Sequence, residues 1–197
     1  MMRVKTIHHL SILFISLLIM FMGSDSVISQ TASQKTQLIL LGTGTPNADP
    51  DRSGPSLAIV VGDTSYIVDF GPGVVRRAAS LSKNKGDSFE ALNPENLKIA
   101  FLTHLHSDHT AGYADLILTP WVLGRSEPLR VFGPKGLKRM TEKIIDAYNE
   151  DISYRIQGLE PANENGWKVK VEEIDGGLIY ADDRVQVTAF KINHGDR

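Results

Sequence analysis

The sequence contains no cysteine, which excludes disulfides, a thiolate nucleophile and cysteine-ligated metal. Any metal it binds must be held by nitrogen and oxygen. It also lacks a charge imbalance: the formal net charge is -2 over 197 residues. There is thus no global electrostatic case for a polyanionic partner, although a local basic patch is compatible with that total. The apolar run at residues 10–22, broken only by Ser11 and Ser16, is short of the roughly 20 residues that cross a bilayer. Internal repeats and low-complexity tracts are missing. The turn Gly42-Thr43-Gly44-Thr45-Pro46-Asn47 lacks the Gly-Lys-Ser/Thr ending of a phosphate loop, and Asn47 stands where a dinucleotide fingerprint needs its third glycine. It reads as a tight backbone turn after a strand, with a secondary role lining a pocket left open.

What is present fits one domain of ordinary size, or most of a somewhat larger one. The start differs from the rest. Arg3 and Lys5 precede the apolar run, no acidic residue occurs before Asp25, and small residues follow at Gly23, Ser24, Ser26 and Ser29. That is the layout of a secretory signal peptide. Residues 1–29 are read as the signal, cleaved near 26–29 or by Ala32, and residues 30–197 as the domain. Export to a periplasm or the exterior follows, without stable membrane association after cleavage. An uncleaved anchor is the alternative, and without cysteine a lipoprotein anchor is excluded.

Along the remaining chain, residues 37–41 form a short apolar strand and residues 47–55 a loop rich in Pro, Asp, Gly and Ser. Strands at 56–61 and 65–70 are joined by Gly62-Asp63-Thr64, a hairpin connection. Asp69 ends the second of these before Gly71-Pro72-Gly73. It either caps a helix starting near Val74 or supports a metal site from outside its ligand shell. Residues 74–81 read as a short helix, 82–94 as a polar loop, and 98–102 as a buried strand. Residues 113–123 are strongly apolar, and their Trp121 reads as core or loop cover, with the floor of a substrate pocket as alternative. A strand at 129–132 follows. From 135 to 151, Leu137, Met140, Ile144, Ile145 and Tyr148 fall at helical spacing and predict one amphipathic helix. Residues 152–166 read as an exposed excursion. Three β-like segments close the chain at 168–174, 178–180 and 184–192; Val185, Val187, Ala189 and Phe190 predict that the last is buried. Hairpins first, then strands alternating with helices, predict a layered mixed α/β domain.

The stretch Thr103-His104-Leu105-His106-Ser107-Asp108-His109 follows the apolar run Ile99-Ala100-Phe101-Leu102 and precedes Thr110-Ala111-Gly112, a turn into a helix. Three imidazoles and a carboxylate lie within six positions, and these are donors that zinc accepts. The bland alternative, a polar loop whose histidines meet water, would suit a single histidine better than four adjacent ligands. Of six histidines, His8 and His9 fall in the presumed signal. His194 ends a buried strand, so every histidine of the remaining chain is read as a metal ligand.

His104-x-His106-x-Asp108-His109 after an apolar strand, with Asp69 after an earlier strand and His194 at a later one, resembles the metallo-β-lactamase superfamily. The stretches 41–46, 69–73 and 103–112 look most like its ribonuclease Z and arylsulfatase-like branch. The resemblance implies an α+β fold, a four-layer αβ/βα sandwich, here truncated after its first half to two-thirds. It implies two Zn2+ ions, with manganese or iron as alternatives: His104, His106 and His194 at the first, Asp108 and His109 at the second, Asp69 orienting ligands from outside. Asp108 is also taken as the catalytic carboxylate. Two ions about 3.5–4 Å apart lower the pKa of a shared water and polarise the scissile oxygen. In similar proteins a bridging aspartate and a last histidine follow the position of His194. The chain is therefore expected to be a fragment, inactive or poorly folded alone, with an exposed sheet edge and unpartnered apolar helix faces.

The resemblance thus implies a metal-dependent hydrolase of a sulfate or phosphate ester. A lactone or carboxylic ester hydrolase with the same site is one alternative, and a non-catalytic metal-binding fragment another. The export reading favours a small-molecule ester over nucleic acid, and a homodimer is compatible with it. True β-lactamase activity is disfavoured by His109 and by the missing cysteine.

Overall fold

The computed structural model describes residues 35–83, 89–159 and 162–194, all within the unit Gln34–Arg197. The signal-peptide reading of residues 1–29 lies outside them. Among the described residues no helix is long and apolar enough to cross a membrane.

Six strands form one sheet in the order β1-β2-β3-β4-β5-β6: β1 (Thr36–Gly42), β2 (Ser56–Val61), β3 (Thr64–Val68), β4 (Ile99–Phe101), β5 (Leu129–Gly133) and β6 (Val169–Glu173). The first three pair antiparallel, and β3 to β6 pair parallel. The hairpin turn after β2 is closed by Gly62 in the left-handed region, with φ 62°, a conformation glycine adopts without a Cβ clash. The later strands need long crossovers because they run parallel. These hold α1 (Val74–Ser80), α2 (Ser107–Thr110), α3 (Tyr113–Val122), α4 (Leu137–Ala147) and α5 (Asn149–Gln157). A separate antiparallel pair, β7 (Gly177–Ala181) and β8 (Gln186–Ala189), ends the described chain.

Strand alternation divides the sheet's side chains between two apolar clusters. On one face Ala58, Val60, Ile67, Ala100 and Val131 pack with helical Val74, Ala78, Leu116, Ile117 and Leu137. Each fully buried Leu or Ile there contributes about 1.5–3 kcal/mol. On the other face Val61, Tyr66, Phe101 and Phe132 pack with Tyr180 of β7. Helices, sheet and hairpin give the expected α+β class; a second helical layer is not formed by the described residues.

Several sequence expectations change. Residues 135–151 are not one helix, because the chain breaks at Tyr148 (φ -101°, ψ 12°). The second piece, α5, lies in the segment read as an excursion. It buries only Ile152 and is supported by an Arg155–Asp151 ion pair one turn apart, so it lacks the apolar stripe that announces a helix. The segment 82–94 is not all polar loop: two 3-10 turns, Glu90–Leu92 and Pro94–Asn96, bury Ala91, Leu92 and Pro94. The last segment is not buried either. Val187 and Ala189 are half-covered, while Phe190 and Ile192 are about four-fifths exposed, because β8 ends at Ala189 and these two residues follow it unpaired with any described strand. Trp121 is buried, and its Nε1 donates to the Asn163 carbonyl at 2.7 Å. It covers a loop, and the pocket-floor reading is dropped.

The β7–β8 hairpin is tied to the sheet by Asp182. The hydroxyls of Tyr66 and Tyr180 donate to its Oδ2 at 2.6 and 2.7 Å, and the N–H groups of Arg184 and Val185 to its Oδ1, both at 2.8 Å. Burial pushes this carboxyl up, but the four donors outweigh it and hold the group well below the usual carboxylate range. A folded-state pKa below the unfolded one contributes stability above the unfolded value and loses it as pH falls through the folded one. Asp182→Ala is therefore expected to cost about 1 kcal/mol at neutral pH, a figure kept small because the residue is exposed. The deficit should shrink by about pH 3 and below in urea unfolding; a deficit constant with pH would contradict the assignment.

Candidate metal centre

The site lies at the carboxyl ends of parallel strands, where open α/β sheets place their ligands. Asp69 follows β3, the segment from Thr103 follows β4, and Gly136, at the start of α4, follows β5 and lies against Leu105. Three loops meet there by close backbone packing. Phe70 N–H donates to the His109 carbonyl at 3.0 Å, Gly112 N–H to the Phe70 carbonyl at 3.0 Å, and Gly54 N–H to the Pro72 carbonyl at 2.9 Å. A Cβ at Gly71 would overlap the Asp108 carbonyl oxygen and come within 2.6 Å of the Gly54 carbonyl carbon. Both obstacles are backbone. Gly71→Ala is thus expected to cost about 1–3 kcal/mol and to weaken zinc binding by displacing the turn that carries Asp108. Calorimetry and a zinc titration would read both, and an unchanged protein would contradict this packing.

Asp69 is the one non-glycine residue with positive φ among the described residues, at 59°. That conformation costs about 1–3 kcal/mol where it is not relieved, and Asp tolerates it better than most. It aims a buried carboxylate at the histidine loop. Oδ1 accepts the Thr103 N–H at 2.8 Å, and Oδ2 lies 2.7 Å from His109 Nδ1. The Thr103 hydroxyl lies 2.9 and 3.0 Å from the two carboxylate oxygens. The helix-cap reading of Asp69 fails, since the N-cap of α1 is Gly73 with no side-chain cap.

The structure brings the four histidines together. His104 is 4.6 Å from His106, 4.1 Å from His109 and 4.7 Å from His194 between ring centroids, and His106 is 5.5 Å from His194. One donor nitrogen each from His104, His106 and His194 lies within 4.8 Å of the others. Burial, then the neighbouring imidazoles of His109, His106 and His194, hold His104 below the ordinary imidazole value, with Asp69 opposing. A neutral imidazole is the form that binds metal. His104 Nε2 and His106 Nδ1 are 3.0 Å apart. Two nitrogens on one tetrahedral zinc, each 2.0–2.1 Å from it, stand about 3.3 Å apart, so the His104–His106 pair is already near the spacing one ion needs, and the three-histidine set, within 4.8 Å, fits an ion once it closes on it.

Asp108 and His109 form a second pair beside it, with His109 Nε2 3.5 Å from Asp108 Oδ2. If His109 gives its Nδ1–H to Asp69, its Nε2 is a bare lone pair facing a carboxylate. Such a pair calls for a cation or a proton between. Among the described residues the one group of three or more candidate metal donors is His104, His106 and His194, so this pair stands outside it.

Sequence reading missed Arg125. It is fully buried, and its guanidinium donates to the carbonyls of Leu97, Leu116, Ile117 and Gly166 at 2.7–3.3 Å, with no carboxylate among these partners. Burial brings it down to about 10, with Tyr113 opposing. The signal was there: Pro120 inside α3 has no N–H for the Leu116 carbonyl, and Arg125 supplies that donor.

The family model of the Metallo-beta-lactamase superfamily matches residues 49–185. Ribonuclease Z of Mycobacterium marinum (strain ATCC BAA-535 / M) is 34% identical over 161 residues, covering 80% of this chain and 54% of the relative. Ribonuclease Z of Mycobacterium bovis (strain BCG / Pasteur 1173P2) is 39% identical over 123 residues, 61% of this chain and 41% of the relative. The chain thus spans about half the length of the curated relatives it matches. Among solved structures, human tRNase Z, short form, superposes with a TM-score of 0.58 at 19% identity, covering 78% of this chain and 59% of that one. The metallo-beta-lactamase fold protein YhfI from Bacillus subtilis gives 0.51 at 16% identity, with 74% and 50% covered. At such identities these two likenesses speak for the fold alone.

Proposed function

From the premise that the chain belongs to the metallo-beta-lactamase superfamily, we propose that it serves metal-dependent hydrolysis of a phosphodiester. The observation that carries this reading is the convergence of His104, His106 and His194 at the strand ends, with Asp108 and His109 beside them. When bound, a divalent ion such as zinc supplies Lewis-acid polarisation and a water of lowered pKa. The chain's own contributions are separate. His104, His106 and His194 are the ligands of the first position. Asp69 holds the ring of His109 by accepting from its Nδ1 side, which aims Nε2 at Asp108. Asp108 and His109 would serve the second position, and the Asp108 carboxylate would accept a hydrogen bond from an attacking water.

The phosphodiester is favoured because it is the bond a ribonuclease cleaves, and relatives one-third identical are named Ribonuclease Z. The sulfate-ester expectation finds no support among the relatives named above. The expectation against nucleic acid weakens too, because relatives one-third identical are named for a ribonuclease. Residues 30–197 are proposed to act as one domain.

The test is turnover of bis(4-nitrophenyl) phosphate, 4-nitrophenyl sulfate and a short RNA, with added zinc, manganese or iron and with chelator. Chelator-sensitive cleavage of the phosphodiesters and none of the sulfate supports the reading. Sulfate cleavage alone would overturn the substrate class, and a tightly bound metal without any turnover would favour the binding module.

A further inference from the structure

We propose that the Thr103 hydroxyl is a positioning group for metal capture, relaying the Asp69 carboxylate to His104 and fixing the tautomer in which His104 presents a bare Nε2. This rests on the reading of His104 as a ligand. Thr103 comes one residue after Leu102, whose N–H still donates to the Phe132 carbonyl at 2.8 Å, so the sheet holds its backbone in place. Its N–H donates to Asp69 Oδ1 at 2.8 Å. Its Oγ1 lies 2.9 and 3.0 Å from the two Asp69 oxygens and 2.9 Å from His104 Nδ1.

These distances decide where the protons are. A hydroxyl has one proton, and a carboxylate can only accept. The Thr103 proton therefore goes to Asp69, and toward His104 the same oxygen can only accept. His104 Nδ1 must then carry the hydrogen. A neutral imidazole has one N–H, so the lone pair is left on Nε2, the atom 3.0 Å from His106 Nδ1. Asp69 thus sets the proton position on two rings: on His109 directly, across 2.7 Å, and on His104 through Thr103. Partners of this kind fix ligand tautomer and orientation, and removing one typically costs about 10–100-fold in metal affinity.

Valine at this position keeps the size and β-branching of threonine and the N–H to Asp69, but removes the relay; serine keeps the relay. A hydroxyl that only braced the turn would affect stability and leave the tautomer alone. The test uses the full metal-free chain and long-range proton–nitrogen spectra of its imidazoles at neutral pH. His104 is expected as the Nδ1–H form in the wild type and in Thr103→Ser, with a shift toward Nε2–H in Thr103→Val. Competition with a chromophoric chelator should show zinc affinity about 10–100-fold weaker in Thr103→Val and within about threefold of wild type in Thr103→Ser. An Nε2–H ring in the wild type overturns the proposal without any variant. So does a folded Thr103→Val that keeps both tautomer and affinity. If Thr103→Val does not fold, Thr103→Ser decides, since a serine variant with the affinity loss overturns the relay. A wild type that binds no zinc overturns the ligand reading beneath it, and the spectrum tells the two failures apart.

Discussion

His106→Ala is expected to lower zinc affinity by more than about 100-fold, while leaving the folded chain about as stable as before. The loss should exceed the 10–100-fold typical of an outer partner, because the change deletes a donor from the first position. The fold should be indifferent for a separate reason. His106 is exposed, sits at the N-cap of α2, and makes no side-chain cap hydrogen bond there. Its carbonyl, which accepts from His109 N–H at 3.1 Å and from the Thr110 hydroxyl at 3.0 Å, survives the substitution. Surface changes of this kind usually stay within about 0.5 kcal/mol. A histidine placed for packing would give the reverse: lower stability and unchanged zinc binding. Zinc competition and urea unfolding on the same variant therefore separate the two roles, and the reverse pattern would remove His106 from the site.

Arg125→Met should be the most destabilising of the changes considered, by about 3–5 kcal/mol. Methionine fills most of the side chain's length but donates nothing. The carbonyls of Leu116 and Gly166 would lose donors inside the protein, and Leu116 has no alternative because Pro120 stands where its helical partner would be. An unsatisfied buried group costs about 1–3 kcal/mol, and several are affected at once. Against a typical total of about 5–15 kcal/mol, such a loss lowers the folded population markedly. Arg125→Lys should recover little, since one ammonium cannot reproduce a fork that serves four carbonyls. Urea unfolding checks this. A cost below about 1 kcal/mol would mean that the buried guanidinium is not what closes the helix end and the strap at residues 163–166.

What could be read from the sequence follows from how local each signal is. The order of strands, the hairpin at Gly62 and the short helix at Val74 came from alternation, turn residues and apolar spacing, and each stands in the structure. The histidines were visible because three of them are neighbours on one loop. That His194 binds metal too was read from its place at a strand end, its grouping with His104 and His106 came from resemblance, and the ring distances to both are consistent with it. Less visible were features that depend on contacts distant in sequence. The choice for Asp69 between helix cap and ligand support needed the position of Thr103, 34 residues on. The break at Tyr148 and the short helix after it carry no apolar stripe, so periodicity had nothing to register. Phe190 read as core because hydrophobicity was taken as burial, whereas it lies just past the end of β8 and is exposed. Arg125 went unread because charged residues are almost never fully buried, and its partners are carbonyls, which leave no mark in sequence.

The central claim, that His104, His106 and His194 together hold a metal ion, is tested most directly by zinc-edge X-ray absorption on the purified chain loaded with one equivalent of Zn2+. The account predicts a first shell containing three imidazole nitrogens at about 2.0–2.1 Å, with the imidazole count falling by one in His194→Ala. A shell of oxygens, or an imidazole count that His194→Ala leaves unchanged, would contradict it.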